Sequence, residues 1–111
     1  MSIADKQIEL LEEFQMFPTW MEKYEYIIEL GKELAPFPEE QRKEENIISG
    51  CQSKVWLTAT KNDDGTIHFL ADSDAIITKG MVSLMLRIFN DERGEDIVKA
   101  DMDFLTQLGL L

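Results

Sequence analysis

Apolar residues recur along this chain with two periods, and the switch between them divides it into helices and a hairpin. From Ile3 to Phe17 the residues Leu10, Leu11, Phe14 and Phe17 fall on one helical face. Pro18 breaks that run, and Thr19 is placed to cap a second helix. There Trp20, Tyr24, Ile27, Ile28, Gly31 and Leu34 repeat at helical spacing, with Glu22, Lys23, Glu25, Glu29 and Lys32 on the outer face. The stripe predicts that Trp20 and Tyr24 are core residues. Gly31 weakens the helix, so a close neighbour is expected to pack there.

Ala35-Pro36-Phe37-Pro38 stops the second helix, and the charged stretch 39–46 reads as a surface connection. Ile47-Ile48 is a candidate short strand. Val55, Leu57 and Ala59 then alternate with Trp56, Thr58 and Thr60, a half-buried strand pattern. Asn62-Asp63-Asp64-Gly65 is a turn signal, and Ile67, Phe69 and Ala71 alternate on the returning strand. Asp72-Ser73-Asp74 is suited to capping the next helix, with Ser73 or Asp74 as the cap. Ile76, Ile77, Gly80, Met81, Leu84, Met85, Ile88 and Phe89 form the cleanest apolar stripe in the chain. Residues 90–94 read as a turn, followed by short helices over 95–99 and 101–108. The order of elements predicts an α+β domain with a small antiparallel sheet of about three strands packed against helices. Strand–helix–strand alternation is missing, so a parallel doubly wound fold is not expected.

At 111 residues the chain fits a single domain spanning 1–111. Its 22 acidic and 11 basic residues give a formal charge of −11. Nucleic acid and anionic membrane faces repel such a surface, whereas a partner with a basic patch is attracted to it. The start of the chain lacks the charge and apolar run of a signal peptide, and no segment is apolar enough to span a bilayer, so a cytoplasmic protein is expected.

Cys51 is the only cysteine, which rules out an internal disulfide and a two-thiol redox cycle within the chain. It sits in Ser49-Gly50-Cys51-Gln52-Ser53, just before the strand-like run 54–61. Gly50 permits a tight backbone bend, and Gln52 and Ser53 are poor core neighbours. A lone cysteine is often a small buried hydrophobe, yet reactive thiols are partly exposed, and pattern alone leaves both readings open. His68, the sole histidine, lies on the strand face opposite Ile67 and Phe69 and reads as solvated, which argues against a Cys–His nucleophile. One cysteine and one histidine do not make a zinc site, and no metal is expected. An apolar strand ending in Asp72-Ser73-Asp74 also resembles the opening of haloacid-dehalogenase-type phosphatases. That motif is short, and the chain lacks the further parallel strands.

Four stretches together carry a more specific likeness. Phe17-Pro18-Thr19-Trp20-Met21-Glu22-Lys23-Tyr24-Glu25-Tyr26-Ile27-Ile28-Glu29-Leu30-Gly31 resembles the opening signature of the SufE family. Gly50-Cys51-Gln52-Ser53-Lys54-Val55-Trp56-Leu57 resembles its cysteine loop, Asp72 to Gly80 its third motif, and Leu108-Gly109-Leu110 a fourth. The resemblance implies a SufE/IscU-like fold. It further implies a sulfur acceptor that works with a pyridoxal-phosphate cysteine desulfurase of the SufS or CsdA type. Cys51 would take persulfide sulfur, stimulate the desulfurase and hand sulfur to a scaffold such as SufBCD for iron–sulfur cluster assembly. The pyridoxal phosphate belongs to the desulfurase; this chain itself is expected to hold no cofactor and to be a carrier, not a stand-alone enzyme. Gly50, Gln52, Ser53, Asp72, Ser73 and Asp74 are the expected loop and docking residues, with the thiol shielded until the partner docks. A non-catalytic regulator that docks without accepting sulfur is the alternative. Family members usually continue with a Ser-Pro-Ser-Arg-like stretch and a final helix, and this chain ends before them, at Leu111.

Overall fold

The computed structural model describes residues 1–48 and 53–101. Helix α1 spans Ile3–Phe14 and helix α2 spans Trp20–Lys32. Both open with a reciprocal capping box. The Ser2 hydroxyl accepts from the Asp5 amide at 3.1 Å, and the Thr19 hydroxyl from the Glu22 amide at 3.2 Å, while each carboxylate reaches back to the cap's own N–H. Helix α1 ends three residues earlier than its apolar stripe predicts. Phe17 is reached by a turn, its amide bonded to the Phe14 carbonyl, and its ring stacks on Tyr26 at 4.7 Å.

Strand β1, Val55–Lys61, pairs antiparallel with β2, Thr66–Ser73, in a register running from Val55↔Ser73 to Lys61↔Ile67. The Asn62–Gly65 turn needs Gly65, whose φ is 88°, and the Asp64 carboxylate accepts from both the amide and the hydroxyl of Thr66. Helix α3, Ile76–Phe89, comes next. A third strand, β3 over Glu92–Arg93, pairs antiparallel with β2, and helix α4 covers Gly94–Lys99. The sheet order is β1-β2-β3. The described residues therefore form an α+β domain with a three-stranded antiparallel sheet, as the pattern predicts.

The third strand lies inside the stretch expected to be only a turn. Its two residues are charged and carry no alternation; the edge of β2 at Thr66 and Ile67 recruits them. Ile47-Ile48, the candidate strand, makes one bridge, Ile47↔Trp56, without becoming a strand of the sheet. From Met102 onward the expected helix over 101–108 lies outside the described residues.

The core is set where α1, α2 and α3 meet. Leu10, Phe14, Ile27, Leu30, Leu84, Ile88 and Phe89 are buried there, with Met81 and Met85 packed against them. Helices α2 and α3 cross at two glycines. A Cβ on Gly31 would lie 2.9 Å from the Gly80 nitrogen, and one on Gly80 would lie 2.3 Å from both Cγ2 and the carbonyl oxygen of Ile27. The neighbour expected at Gly31 is thus the backbone of α3.

This crossing also corrects two expectations. Trp20 and Tyr24 are 51% and 39% exposed, not core. Helix α3 meets α2 in its second half, so the stripe is buried at Ile27 and Gly31, half-buried at Ile28 and Leu34, and runs into solvent at its N-terminal end. Ile76 and Ile77, the first residues of the α3 stripe, are 66% and 41% exposed for the same reason: they precede the turn that reaches α2.

Candidate functional site

Cys51, Gly50 and Gln52 lie outside the described residues, whereas the chain on both sides of them is described. On the near side the Ile48 amide donates to the Val55 carbonyl at 2.9 Å, and Ile47 faces Trp56. On the far side Ser53 donates its hydroxyl hydrogen to Thr78 Oγ1 at 3.0 Å, which ties the stretch to the first turn of α3.

Lys54 is fixed through its backbone. Its amide donates to Asp74 Oδ1 at 3.0 Å, and its carbonyl accepts from the Asp74 amide at 3.2 Å and from the Ser73 hydroxyl at 2.9 Å. Ser73 Oγ also accepts from the Ala75 amide at 3.2 Å. Neither Ser73 nor Asp74 caps α3, contrary to expectation: β2 runs through Ser73, and the N-cap is Ala75, which makes no side-chain cap bond. The polar side chains of this junction are spent on Lys54 instead, because its backbone groups would otherwise leave the ladder unpaired.

Asp72 is turned the other way. It stands opposite Trp56 in the ladder, so the two side chains share a sheet face. Its side chain is 12% exposed and faces two cations. Arg42 Nη2 lies 2.5 Å from Oδ2, Lys79 Nζ lies 3.3 Å from Oδ1, and the Ser73 amide donates to Oδ1 at 2.8 Å. Burial pushes the Asp72 pKa up, but the donors from Arg42, the Ser73 amide and Lys79 outweigh it and hold the carboxyl below its ordinary range. The Arg42 guanidinium sits over the rings of Trp56 and Phe37, 5.1 and 5.4 Å from their centroids, and its Nε lies 3.0 Å from Glu39 Oε1. Phe37 is buried beneath it.

The structure thus brings Ser73 and Asp74 together at the Lys54 backbone, ties Ser53 to Thr78, and sets Asp72 apart, toward Arg42 and Lys79. A magnesium-dependent phosphatase needs the two aspartates to share an ion on a parallel sheet. Here both Asp72 oxygens face protein donors, and the sheet is antiparallel. Among the described residues no group of three or more His, Cys, Asp or Glu side chains is arranged to hold a metal. His68 pairs with Asp91 at 3.0 Å, at the far end of the hairpin from Val55 and Ser73.

Three participants are not evident from sequence pattern. Arg42 reads as one charge in a charged connection, although it is the sole arginine between the two prolines and the strand. Thr78 and Lys79 sit in the third motif without any local feature that marks them. The first turn of α3 also exposes Ile76 and Ile77 beside Thr78, and Ile48 is exposed at the other flank.

An antiparallel sheet whose first two strands end in a polar clamp, backed by a helix crossing, defines a small α+β domain with one specialised strand end. A family model described as SufE, Fe-S metabolism associated domain, matches residues 8–111, and the chain belongs to the SufE family. Among the described residues no helix is long and apolar enough to cross a membrane.

Proposed function

We propose that this protein is a cytoplasmic sulfur acceptor for a pyridoxal-phosphate cysteine desulfurase of the SufS or CsdA type, with Cys51 as the acceptor. The observation that carries this reading is the family match over 8–111, which takes in the only cysteine of the chain within Gly50-Cys51-Gln52-Ser53. The chemistry needs one thiol. The Cys51 thiolate attacks the outer sulfur of the donor's persulfide; a new S–S bond forms at Cys51, the donor's S–S bond breaks, and the donor cysteine leaves as a thiolate. The disulfide-level sulfur moves from one protein to the other with no net oxidation, so no further reagent is required. A scaffold of the SufBCD kind then receives the sulfur for cluster assembly. Pyridoxal phosphate stays with the desulfurase.

The surroundings support this role. The described residues on either side of 49–52 are anchored, Ile48 to the Val55 carbonyl and Ser53 to Thr78. Exposed Ile48, Ile76 and Ile77 offer apolar contact area at that place. Gly50, Gln52 and Ser53 would contact the donor, Ser73 and Asp74 would hold the base of the stretch through Lys54, and Asp72 would hold Arg42 and Lys79 beside it. Cys51→Ser tests the reading: the variant should still bind the desulfurase while losing all stimulation of cysteine turnover. Full stimulation by Cys51→Ser would instead make the protein a docking regulator that accepts no sulfur.

A further inference from the structure

Trp20 and Tyr24 form a stacked pair on the open end of α2, with ring centroids 5.8 Å apart and planes inclined by 29°. Met16 and Met21 are exposed in the same stretch. The helices beneath are strongly acidic: residues 2–34 carry eight acidic and three basic side chains, a net −5. The rings already attract a cation, since Lys23 Nζ lies 5.7 Å from the Trp20 centroid. Aromatic faces in an acidic surround are suited to arginine and lysine side chains, whose stems pack on the rings while their charges meet the carboxylates.

An interface of standard size takes about 800 Å² and 20–30 residues from each partner, roughly 30 Å across. The short stretch between Ile48 and Ser53 supplies only a fraction of that. Gly31 touches the Lys79 and Gly80 backbone, next to Thr78, and Trp20 lies eleven residues earlier on α2. At 1.5 Å per residue the separation along the helix is about 16 Å. One partner seated over Ser53 and Thr78 can therefore also cover Trp20.

We infer that the Trp20–Tyr24 face is a second contact for the sulfur donor, and that the donor meets it with a patch of arginine and lysine side chains. This inference rests on the proposed sulfur-acceptor role. The test measures binding to candidate SufS- and CsdA-type desulfurases, and sulfur loading of the full chain, for wild type, Trp20→Ala/Tyr24→Ala and Trp20→Glu. Melting curves confirm that each variant is folded. The alanine pair should raise Kd at least about tenfold, as loss of a buried aromatic anchor does. Loading at saturating protein should be unchanged, and wild-type affinity should fall steeply with salt. Trp20→Glu, which adds acid but removes the ring, should match the alanine pair. Unchanged Kd in all variants overturns the second contact and leaves sulfur acceptance standing. A concentration-dependent dimer that the alanine pair abolishes assigns the face to a second copy and also overturns it. If wild type neither binds any desulfurase nor gains sulfur, the sulfur-acceptor role itself fails.

Discussion

Two of the contacts that hold helix α3 work by opposite means. At Gly80 it touches α2 with no side chain between, and the contact is backbone against backbone and Ile27. One half-turn earlier, at Thr78 and Lys79, it is held by a hydroxyl bond to Ser53 and an ion pair to Asp72. The first contact is apolar, shape-matched and without slack. The second is polar, reaches the chain on one side of Cys51, and is made of bonds that each contribute little net free energy. A rigid helix crossing thus presents a row of weak polar ties to the strand end.

Substitutions should separate the two regimes. Gly80→Val should have the largest effect, because its Cβ meets the Ile27 carbonyl, which cannot rotate away. A loss of about 3 kcal/mol or more is expected in a urea melt. Leu84→Ala, in the same core, should cost about 2–5 kcal/mol with no change in desulfurase binding. Asp72→Ala should cost less, about 1–3 kcal/mol, by leaving Arg42 without its shortest acceptor.

The clamp should also respond to acid. The folded-state pKa of Asp72 lies below its unfolded value of about 3.9. Its carboxylate therefore contributes stability that is complete above that value and is lost as pH falls through the folded-state pKa. Stability measured between about pH 5 and pH 2 should fall less steeply in Asp72→Asn than in wild type. Glu13, held down by Arg87, shares this window, so part of the slope should persist in the variant. At the bottom of the range, Glu29→Gln breaks an exposed pair with Lys32 and should change stability by less than about 0.5 kcal/mol.

Periodicity makes much of the fold readable: three helices, the hairpin and its turn come from spacing and from Gly65, and Gly31 points to a close helix neighbour. It misplaces Trp20, Tyr24, Ile76 and Ile77 because a stripe says which face is apolar, not how far along it the partner helix reaches. Residues 92–93 read as turn because a two-residue edge strand is chosen by the strand beside it, not by its own pattern. At the candidate site, the thiol motif and Asp72 to Asp74 stand out by composition. Their division of labour does not, since a preference of Ser and Asp for helix caps is local, whereas the demand of the Lys54 backbone for partners comes from across the sheet. Arg42 is invisible for the same reason: its partners Asp72 and Trp56 are distant in sequence.

The most direct measurement is mass spectrometry of this protein after mixing with a candidate desulfurase and sulfur-labelled cysteine. One labelled sulfur atom should appear on the peptide that carries Cys51, be removed by a reductant, and be absent in Cys51→Ser. Desulfurase turnover accelerated by this protein, with no sulfur ever recovered on that peptide, would contradict the account.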